Sequence, residues 1–511
     1  MPPIRKLARV SSVALHGIHA QLVSVEANIG PGLPGLHVVG LADTSVRESR
    51  ERIKTAAANC GIAWPRTKVI ISLSPADMPK AGSHFDLAIT LAVLAAQAHD
   101  DEVAARLAGV LVVGEIGLDG AIKPVPGVLA AILRARECGI AQVIVPEETM
   151  AEAALATGID VRCVATLRQA HEWLFQGRPL PRVGNIVASG APPHYGDFSD
   201  VAGQDHAKFG AQVAAAGGHH LLMIGPPGSG KSMIAQRMAG LLPPLGPDEV
   251  IEATIVHSIA GNGSEPITRA PFVAPHHSIT RSGLLGGGSG TPRPGAVSLA
   301  HCGVLFLDEV SEIPARILDG LRTPLEQHSV RIVRAHREYR FPARCQLVLA
   351  ANPCRCGAEE PHECRCSAQT RRTYLENLSG PLRDRLDIMV STHGKMSVLS
   401  DAHATSTADI AQAVALARER ATARWVERGL DVTTNAQVEG TVLRREFPAT
   451  EAAMAMLGAF LARGEMSQRG VDRTLKIAWT LADLAGCDIP DVDHVAAALD
   501  LRGTPTIQAA A

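Results

Sequence analysis

Two hydrophobic patterns follow each other along the chain. Residues 1–177 alternate apolar strand-like runs, among them VIISLS and AQVIVPEE, with alanine-rich helical segments. A second series of short apolar strands follows at 221–225, 303–309 and 345–353. Strands that alternate with helices favour a mostly parallel sheet, and beyond His393 the pattern becomes helical through Leu501. The pattern predicts an α/β protein with a helical C-terminal part.

Composition marks the boundaries between these parts. The stretch 178–197 is rich in Pro and Gly and has no sustained period, which predicts a linker. We therefore predict an N-terminal domain over 1–177, a core over 198–393 and a helical domain over 405–511. A length of 511 residues agrees with several domains, because one hydrophobic core rarely serves so long a chain.

Overall charge narrows the functional classes. Hydrophobic residues make up 46% and charged residues 20%, as in a soluble globular protein, and the net charge of −2 excludes a bulk polycation. Any nucleic-acid site must therefore concentrate its positive charge locally. The first residues lack the pattern of a signal peptide, and apolar runs such as 87–96 are too short to cross a bilayer. We expect a cytoplasmic protein with no membrane partner.

The strongest local signal is a complete G-x-x-x-x-G-K-S motif between an apolar strand and a helical run. Its glycines let backbone N–H groups surround phosphate oxygens, its lysine supplies charge to the β and γ phosphates, and its last hydroxyl ligates Mg²⁺. The predicted nucleotide-binding residues are Gly225, Pro226, Pro227, Gly228, Ser229, Gly230, Lys231 and Ser232. ATP and Mg²⁺ are the predicted cofactors.

Two acids, Asp308 and Glu309, end the apolar run VLFL. In a parallel sheet the carboxyl end of such a strand faces the phosphate loop. Asp308 is predicted to complete the Mg²⁺ site with Ser232, and Glu309 to polarise the attacking water. Together with the phosphate loop, this pair predicts an ATP hydrolase.

Two further residues complete the predicted catalytic set. Asn352 ends the strand LVLAANP, where its amide can orient the same water. Arg385, within GPLRDRLD, is a candidate arginine finger for the γ-phosphate of a neighbouring subunit. Because a finger supplied by a neighbour requires an oligomer, a ring is predicted.

Four of the ten cysteines crowd together after this strand, as Cys354, Cys356, Cys364 and Cys366. In a reducing compartment such a cluster indicates a metal before disulfides, and four thiolates close a tetrahedral zinc site. Each pair is C-x-C, which is shorter than the usual spacing of zinc ligands. Free cysteines in a loop are the alternative, and a catalytic zinc is disfavoured because four thiolates leave no open position.

Basic residues concentrate in RIVRAHREYRFPAR, where only Glu338 opposes them. On a hairpin, alternate positions share a face, so Arg334 and Arg340 are expected to project together. The predicted DNA-binding residues are Arg331, Arg334, Arg337 and Arg340. Their spacing suits contact with phosphates, whereas an aromatic content of 3% disfavours extensive base stacking. A solvated hairpin or a subunit contact is the alternative.

Adjacent His276 and His277 resemble metal ligands at first sight. Neighbouring side chains diverge in regular structure, and no acid or cysteine is close in sequence. Local packing within their loop is therefore predicted.

The runs FSDVAGQDHAKFG, APHHSITRSGLLGG and SLAHCGVLFLDE resemble the magnesium-chelatase-like AAA+ proteins of the ComM/YifB family. The resemblance covers nearly the whole chain. It implies a hexameric AAA+ core with a helix-2 insert at about 257–300, a pre-sensor hairpin at about 329–344 and a C-terminal helical lid. In the lid it implies that Arg469 or Arg473 senses the nucleotide.

The N-terminal domain resembles the proteolytic domain of Lon, which implies a ribosomal S5 domain 2-like α+β fold. The match to Lon's PKDGPSAG begins at Pro79 and puts His84 where Lon has its serine, with Ser83 one residue early. A second match puts Leu129 where Lon has its lysine, and leucine cannot accept a serine proton. Although Lys80 and Lys123 lie nearby in sequence, protease activity is not expected, and a structural or docking domain is.

These features together predict a hexameric ring that hydrolyses ATP and moves DNA past its pore hairpins. The resemblance implies a branch-migration helicase of natural transformation and homologous recombination, which acts on single-stranded or branched DNA after a recombinase. A protein-remodelling or chelatase-type ATPase with a protein partner is the alternative. A scaffold that binds ATP and barely hydrolyses it is a third class, disfavoured by Glu309 and Arg385.

Overall fold

The computed structural model describes residues 7–40, 43–76, 78, 80–184, 193–263, 265–288, 290–334, 337–359, 362–367, 369–370, 374, 378, 380–394 and 405–503. Within these ranges the chain forms a mixed sheet with helices, then a parallel sheet with helices, then a helical part. The predicted α/β class with a helical C-terminal part is confirmed. Pro79 of the Lon comparison, 185–192 of the predicted linker and 504–511 of the last domain lie outside the described residues.

The N-terminal part contains a seven-stranded mixed sheet, a separate two-stranded sheet and a buried helix against the larger sheet. Its strands are β1 (Leu7–His16), β2 (His19–Gly30), β3 (Gly35–Val39), β4 (Lys68–Ser74), β5 (Val110–Val112), β6 (Glu115–Ile116), β7 (Ile122–Lys123), β8 (Gln142–Pro146) and β9 (Asp160–Val164). Its helices are α1 (Thr44–Asn59), α2 (Asp86–Ala98), α3 (Asp101–Leu107), α4 (Val128–Glu137), α5 (Met150–Ala153) and α6 (Leu167–Gln176). The strand order is β3-β4-β2-β1-β5-β8-β9, and the apolar run of α2 is buried because α2 packs on β1 and β2.

The central part is built on a five-stranded parallel sheet. Its strands are β10 (Leu221–Ile224), β11 (Phe272–Val273), β12 (Gly286–Gly287), β13 (Arg293–Pro294), β14 (Val304–Leu307), β15 (Ser329–Arg334), β16 (Arg337–Pro342), β17 (Gln346–Ala351) and β18 (Ile388–Ser391). Its helices are α7 (Asp205–Gly217), α8 (Lys231–Leu241), α9 (Pro247–Ala260), α10 (Arg281–Leu285), α11 (Ala296–Leu299), α12 (Ala315–Leu318), α13 (Arg322–Gln327) and α14 (Gly380–Arg383). The sheet order is β11-β14-β17-β10-β18, so every carboxyl end lies on one edge.

The C-terminal part contains helices α15 (Thr407–Glu427), α16 (Gly440–Arg445), α17 (Glu451–Ala462), α18 (Gln468–Ala485) and α19 (Val492–Asp500). Trp425 of α15 is fully buried, packs edge-on against Trp479 of α18, and donates to Asn435 Oδ1 at 3.0 Å. One hydrophobic cluster joins these helices to α7 and β10. The helical part therefore lies on the α7 side of the parallel sheet.

A second cluster joins the N-terminal part to the core. Val13 and Val128 pack with Ile255 and Ile259 of α9 and with Phe341 of β16. Burial of such side chains supplies roughly 25 cal/mol per Å² of apolar surface. The N-terminal part therefore packs on helix α9 and on the β15–β16 hairpin of the core.

The segment 178–197, predicted as a linker, is held at both of its ends. Arg182 pairs through its backbone with Arg162 of β9 in an antiparallel β-bridge, and the Val183 N–H donates to the Val161 carbonyl at 2.9 Å. At the other end, Tyr195 donates to the Ala270 carbonyl at 2.8 Å. Composition does not predict backbone pairing of this kind, because Pro- and Gly-rich segments occur at the edges of sheets as well as in loops.

Candidate active site

The G-x-x-x-x-G-K-S motif forms the turn between β10 and α8. Gly228 and Gly230 have φ angles of +77° and +86°, a left-handed conformation that a Cβ disfavours. Gly225 lies against Thr392 after β18, where an added Cβ would come within 2.1 Å of the threonine hydroxyl oxygen. The hydroxyl oxygens of Ser229 and Thr392 are 2.7 Å apart. The loop is thus held against a neighbouring strand, with backbone N–H groups at a helix N-terminus where an anion binds.

Lys231 begins α8 and is largely buried. Its ammonium donates to two carbonyls of the phosphate loop, each at 2.8 Å, and to Asn352 Oδ1 at 3.2 Å. Burial lowers the pKa of Lys231, and the carboxylates of Asp308 and Glu309 oppose that shift. The structure therefore brings the lysine of the loop, the strand-end amide and the two acids to one place.

The acid pair lies at the carboxyl end of β14, beside the phosphate loop. Ser232 Oγ donates to Asp308 Oδ2 at 2.6 Å, so both predicted Mg²⁺ ligands are in contact. Glu309 has a φ angle of +47°, and its carboxylate lies 3.0 Å from the Nδ1 atom of His277. A hydroxyl and a carboxylate are oxygen ligands of the kind that Mg²⁺ prefers.

The contact of His277 with Glu309 corrects the prediction of purely local packing. The ring of His276 does lie against that of His277, with centroids 4.0 Å apart, and His276 accepts from the Ser278 N–H at 3.3 Å. His277 reaches the acid because β11 and β14 are parallel neighbours, so the loop after β11 passes the carboxyl end of β14. No strand was predicted before this loop, and only the strand order shows which strand the loop adjoins.

Three arginines with predicted nucleotide contacts lie at the opposite, amino edge of the sheet. Arg385, Arg469 and Arg473 line one cavity of about 500 Å³, together with the residues that precede or begin β10, β14, β17 and β18. A four-residue strand spans about 13 Å. Among the described residues, none of the phosphate loop lines this cavity. These arginines therefore do not adjoin the phosphate loop of their own chain.

The two lid arginines differ in what they contact. Arg473 donates to the Leu386 carbonyl at 2.9 Å, and its Nε lies 3.9 Å from the Asp387 carboxylate. Arg469 is exposed, and within the described ranges no hydrogen bond or ion pair is found for it. Arg473 is thus engaged in the fold, and Arg469 is the available cation. Arg385 is held by the carboxylate of Glu326 in the same chain.

The basic segment does form a hairpin, as predicted, but its register separates Arg334 from Arg340. Arg331 is the cross-strand partner of Arg340, and Arg334 is the partner of Arg337. Cross-strand partners share a face, so Arg334 and Arg340 lie on opposite faces. The expectation that these two project together is therefore wrong, because the spacing alone does not fix where the strands turn.

One face of the hairpin carries the exposed side chains of Arg331, Arg340 and Glu338. Arg331 Nε and Nη2 lie 2.7 and 2.6 Å from the two oxygens of the Glu338 carboxylate. Tyr339 and Phe341 lie on the other face and are buried. The ring of His16 of β1 lies against that of Tyr339, with centroids 4.4 Å apart, so this end of the hairpin lies against the N-terminal part.

The four clustered cysteines are brought together. Their sulfur atoms all lie within 4.8 Å of one another, and three of the separations are 3.2 Å (Cys354 to Cys356), 3.5 Å (Cys354 to Cys364) and 3.6 Å (Cys356 to Cys364). None of them forms a disulfide. Four thiolates around zinc, each at about 2.3 Å, would lie about 3.8 Å apart. The cluster has the ligand number and spacing of a four-thiolate metal site.

The residues at and beside the positions of Lon's catalytic pair make structural contacts. Ser83 donates to the Glu115 carboxylate, and the Lys80 ammonium contacts a backbone carbonyl. Leu129 is fully buried in α4. Burial lowers the pKa of His84, whose ring contacts a backbone carbonyl at 2.7 Å. Each of these side chains is accounted for by packing or hydrogen bonding.

Family models match the chain in three consecutive stretches. Residues 197–398 match "Magnesium chelatase, subunit ChlI", residues 404–502 match the C-terminal part of that subunit, and residues 25–149 match "Subunit ChlI of Mg-chelatase". An uncharacterized protein of Mycobacterium tuberculosis is 50% identical over 98% of this chain and 99% of its own length. YifB of Escherichia coli is 37% identical, and the competence protein ComM of Haemophilus influenzae 36%, each over 97% of both chains.

The chain belongs to the magnesium-chelatase-like YifB/ComM family. The family resemblance inferred from the sequence is therefore confirmed. The central parallel sheet is the AAA+ core of this family, and its ATPase domain implies ATP hydrolysis with Mg²⁺. Likeness of the N-terminal domain to Lon stays a prediction, since the matching model there is that of the chelatase subunit. None of the described helices has both the length and the apolar character needed to cross a bilayer.

Proposed function

We propose that this YifB/ComM family member is an ATP-driven DNA motor, a hexameric ring that drives branch migration in homologous recombination and natural transformation. The observation that carries the DNA substrate is the exposed arginine face of the β15–β16 hairpin. The similarity to a protein named for competence supports the pathway. A recombinase would then supply the joined strands on which the ring acts.

The contacts at the carboxyl edge support the following roles in hydrolysis. Lys231 and the loop N–H groups would bind the β and γ phosphates, while Ser232 and Asp308 would hold Mg²⁺. Glu309 polarises the attacking water, and Asn352 orients it beside the lysine. ATP supplies the phosphoryl group, and the chain supplies only positioning and charge.

The arginines at the amino edge complete the site of a neighbouring subunit. Arg385 and Arg469 lie about one strand length from their own phosphate loop, on the edge away from it. In a ring the amino edge of one core can meet the carboxyl edge of the next, so their charge would reach the neighbour's γ-phosphate. ATP hydrolysis is then coupled to assembly, since in an isolated subunit neither cation reaches the phosphate loop.

The hairpin is connected directly to the catalytic residues. Only three residues separate the end of β16 from the start of β17, the strand that carries Asn352 at its other end. A shift of β17 with the nucleotide therefore moves the hairpin. Arg340 and Arg331 would follow the DNA backbone independently of sequence, because phosphate contacts carry no base information.

The cysteine cluster is proposed to hold one structural Zn²⁺. The thiol arrangement is closed, so the ion would fix the loop after β17 and take no part in chemistry.

The test is the steady-state ATPase rate with and without single-stranded and forked DNA, with Lys231→Ala as the blank. We expect DNA to raise the rate, and Arg331→Ala combined with Arg340→Ala to remove most of that stimulation. The matched control removes two exposed arginines elsewhere, Arg178→Ala with Arg463→Ala, whose side chains are 65% and 68% exposed. The hairpin variant should also lower the salt slope of DNA affinity by about 1 to 2.

A protein-remodelling or chelatase-type motor is the second candidate, because the matching family models are those of a magnesium-chelatase subunit. An ATPase rate that is indifferent to every DNA tested, and equal in the hairpin and control variants, would favour this candidate. A nucleotide-switched scaffold would be indicated if Glu309→Gln preserved function.

A further inference from the structure

The loop that carries the four cysteines begins at the catalytic centre. Asn352 accepts from Lys231 at 3.2 Å, and Cys354 follows only two residues later. Cys354 is buried, whereas Cys356 is exposed. Any ordering of the cysteine loop therefore acts at the residue that contacts the phosphate-binding lysine.

Gly357 joins the same loop to the phosphate loop by packing. It has a φ angle of +73°, and its N–H donates to the Cys354 carbonyl at 3.0 Å, which closes a tight turn that spans the first cysteine pair. A Cβ built on Gly357 would lie 2.7 Å from Cδ and 2.8 Å from Cγ of Pro227. The turn thus fits against the proline ring with no space for a side chain.

Glu359 makes a second connection, on the other side of the phosphate loop. Its carboxylate accepts from the Gly394 N–H at 3.1 Å and lies 3.4 Å from His393 Nδ1. Gly394 in turn lies against Pro226, where an added Cβ would come within 3.1 Å of the ring. Both prolines of the phosphate loop therefore adjoin groups that the cysteine loop positions.

Bound metal would fix the geometry of these contacts. Three of the sulfur–sulfur separations in the cluster are 3.2–3.6 Å, and an ion bound there would add four strong bonds at about 2.3 Å each. Gly357 lies between the two cysteine pairs along the chain, so binding of one ion by both pairs would fix the residue that packs against Pro227.

We infer that the occupancy of the four-cysteine site by a thiophilic divalent ion controls nucleotide binding at the phosphate loop. This inference rests on the proposed zinc site and adds a regulatory link to it. Binding of the ion orders the cysteine loop against Pro227 and through Glu359 against Pro226, which prepares the phosphate loop for ATP. Because such coupling is reciprocal, ATP must raise the affinity for the ion by the same factor.

The first experiment measures both ligands on the full-length chain. Zinc content per chain is determined by mass spectrometry, the ion is removed with a chelator, and the protein is transferred to chelator-free buffer with Mg²⁺. Titration with a fluorescent ATP analogue should then show affinity at least about fivefold weaker than before, and one equivalent of Zn²⁺ should restore it. Competition with a chromophoric chelator should show zinc affinity raised by saturating ATP to the same extent.

The second experiment breaks the contact and leaves all four thiols in place. Gly357→Ala should retain one zinc per chain and yet bind the ATP analogue more weakly. Gly139→Ala is the matched control, because Gly139 has a φ angle of +71° with nothing within 4 Å of an added Cβ. It should bind both ligands as the wild type does. If circular dichroism shows that zinc removal unfolds the chain, Gly357→Ala still tests the coupling, because this variant keeps its zinc.

The outcomes separate the two ideas. Stoichiometric zinc with equal ATP affinity in its presence and absence would overturn the coupling and leave the metal site standing. Failure of the chain to bind zinc at all would remove both the metal site and the coupling. ATP affinity of Gly357→Ala equal to that of Gly139→Ala would overturn the route through Pro227. None of these experiments contains DNA, so their outcomes are independent of the proposal that the protein is a DNA motor.

Discussion

At the scale of single residues, the predicted catalytic centre is defined by short contacts between the start of α8 and the ends of two strands. Lys231 lies 3.2 Å from Asn352, and Ser232 lies 2.6 Å from Asp308. The direction of the Glu309 carboxylate is set instead by a backbone φ angle of +47° and by the contact with His277. A general base must lie within reach of the water proton, so its direction matters as much as its charge.

His277 is predicted to position Glu309 for hydrolysis. His277→Ala should lower kcat by between ~10 and 100-fold, the loss expected when a reacting group is displaced by about 1 Å, and should leave KM for ATP little changed. His276→Ala is the control, since His276 stacks on His277 and hydrogen-bonds within its own loop. A rise in basal kcat would contradict this role and would show that the histidine restrains the acid.

At the scale of elements, the joint between α4 and α9 contains a buried acid. Glu152 accepts from the Leu129 N–H at 2.9 Å and from the Ser258 hydroxyl at 3.0 Å, and Ser258 also accepts from the Gly127 N–H at 2.8 Å. Burial raises the pKa of Glu152 from 4.5 to about 7, although both hydrogen bonds oppose the shift. The N-terminal part and the core therefore share a carboxyl group that resists ionisation.

This joint should make folding stability depend on pH. The folded protein keeps a proton on Glu152 that the unfolded chain releases above pH 4.5, so the stabilisation is complete below pH 4.5 and is lost as pH rises through about 7. Relative to the wild type, Glu152→Gln should gain at most about 3 kcal/mol in the free energy of unfolding between pH 5 and pH 8. Glu147→Gln, at an exposed neighbour, should show no such gain.

Denaturant unfolding at the two pH values measures this difference. The same pH dependence in the wild type and in Glu152→Gln would show that Glu152 is ionised in the folded state and that its burial does not control the joint.

At the scale of the whole molecule, the predicted catalytic residues are divided between two edges of the sheet. Lys231 and Glu309 lie at the carboxyl edge, whereas Arg385 and Arg469 lie beside a cavity at the amino edge. If neighbours complete each other's sites, two inactive variants should restore activity when mixed.

We expect Lys231→Ala and Arg385→Ala each to lose ATPase activity and a mixture of the two to regain it. In a randomly mixed ring, roughly a quarter of the interfaces join an intact phosphate loop to an intact finger. The same recovery is expected for Arg469→Ala with Lys231→Ala, because both arginines would serve the neighbour. The ATPase rate of equimolar mixtures measures this. A mixture as inactive as its components would place the arginines in the site of their own chain.

The sequence by itself determined the chemistry of the nucleotide site and the order of the parts. A phosphate loop needs particular residues at fixed spacing between a strand and a helix, so Gly225 to Ser232, Asp308 and Glu309 were recognisable without coordinates. The cysteine cluster was recognisable for the same reason, since its ligands lie close together in the chain.

Tertiary structure alone decided which distant residues meet. Strand order brought His277 to Glu309 and placed Arg385 and Arg469 at the edge away from Lys231, and neither is encoded in local spacing. Hairpin register put Arg340 opposite Arg331 and not beside Arg334, because a shift of one residue exchanges the faces of a strand. The physical reason is common to all three: local patterns fix the conformation of a segment, whereas its neighbours are chosen by the packing of the whole chain.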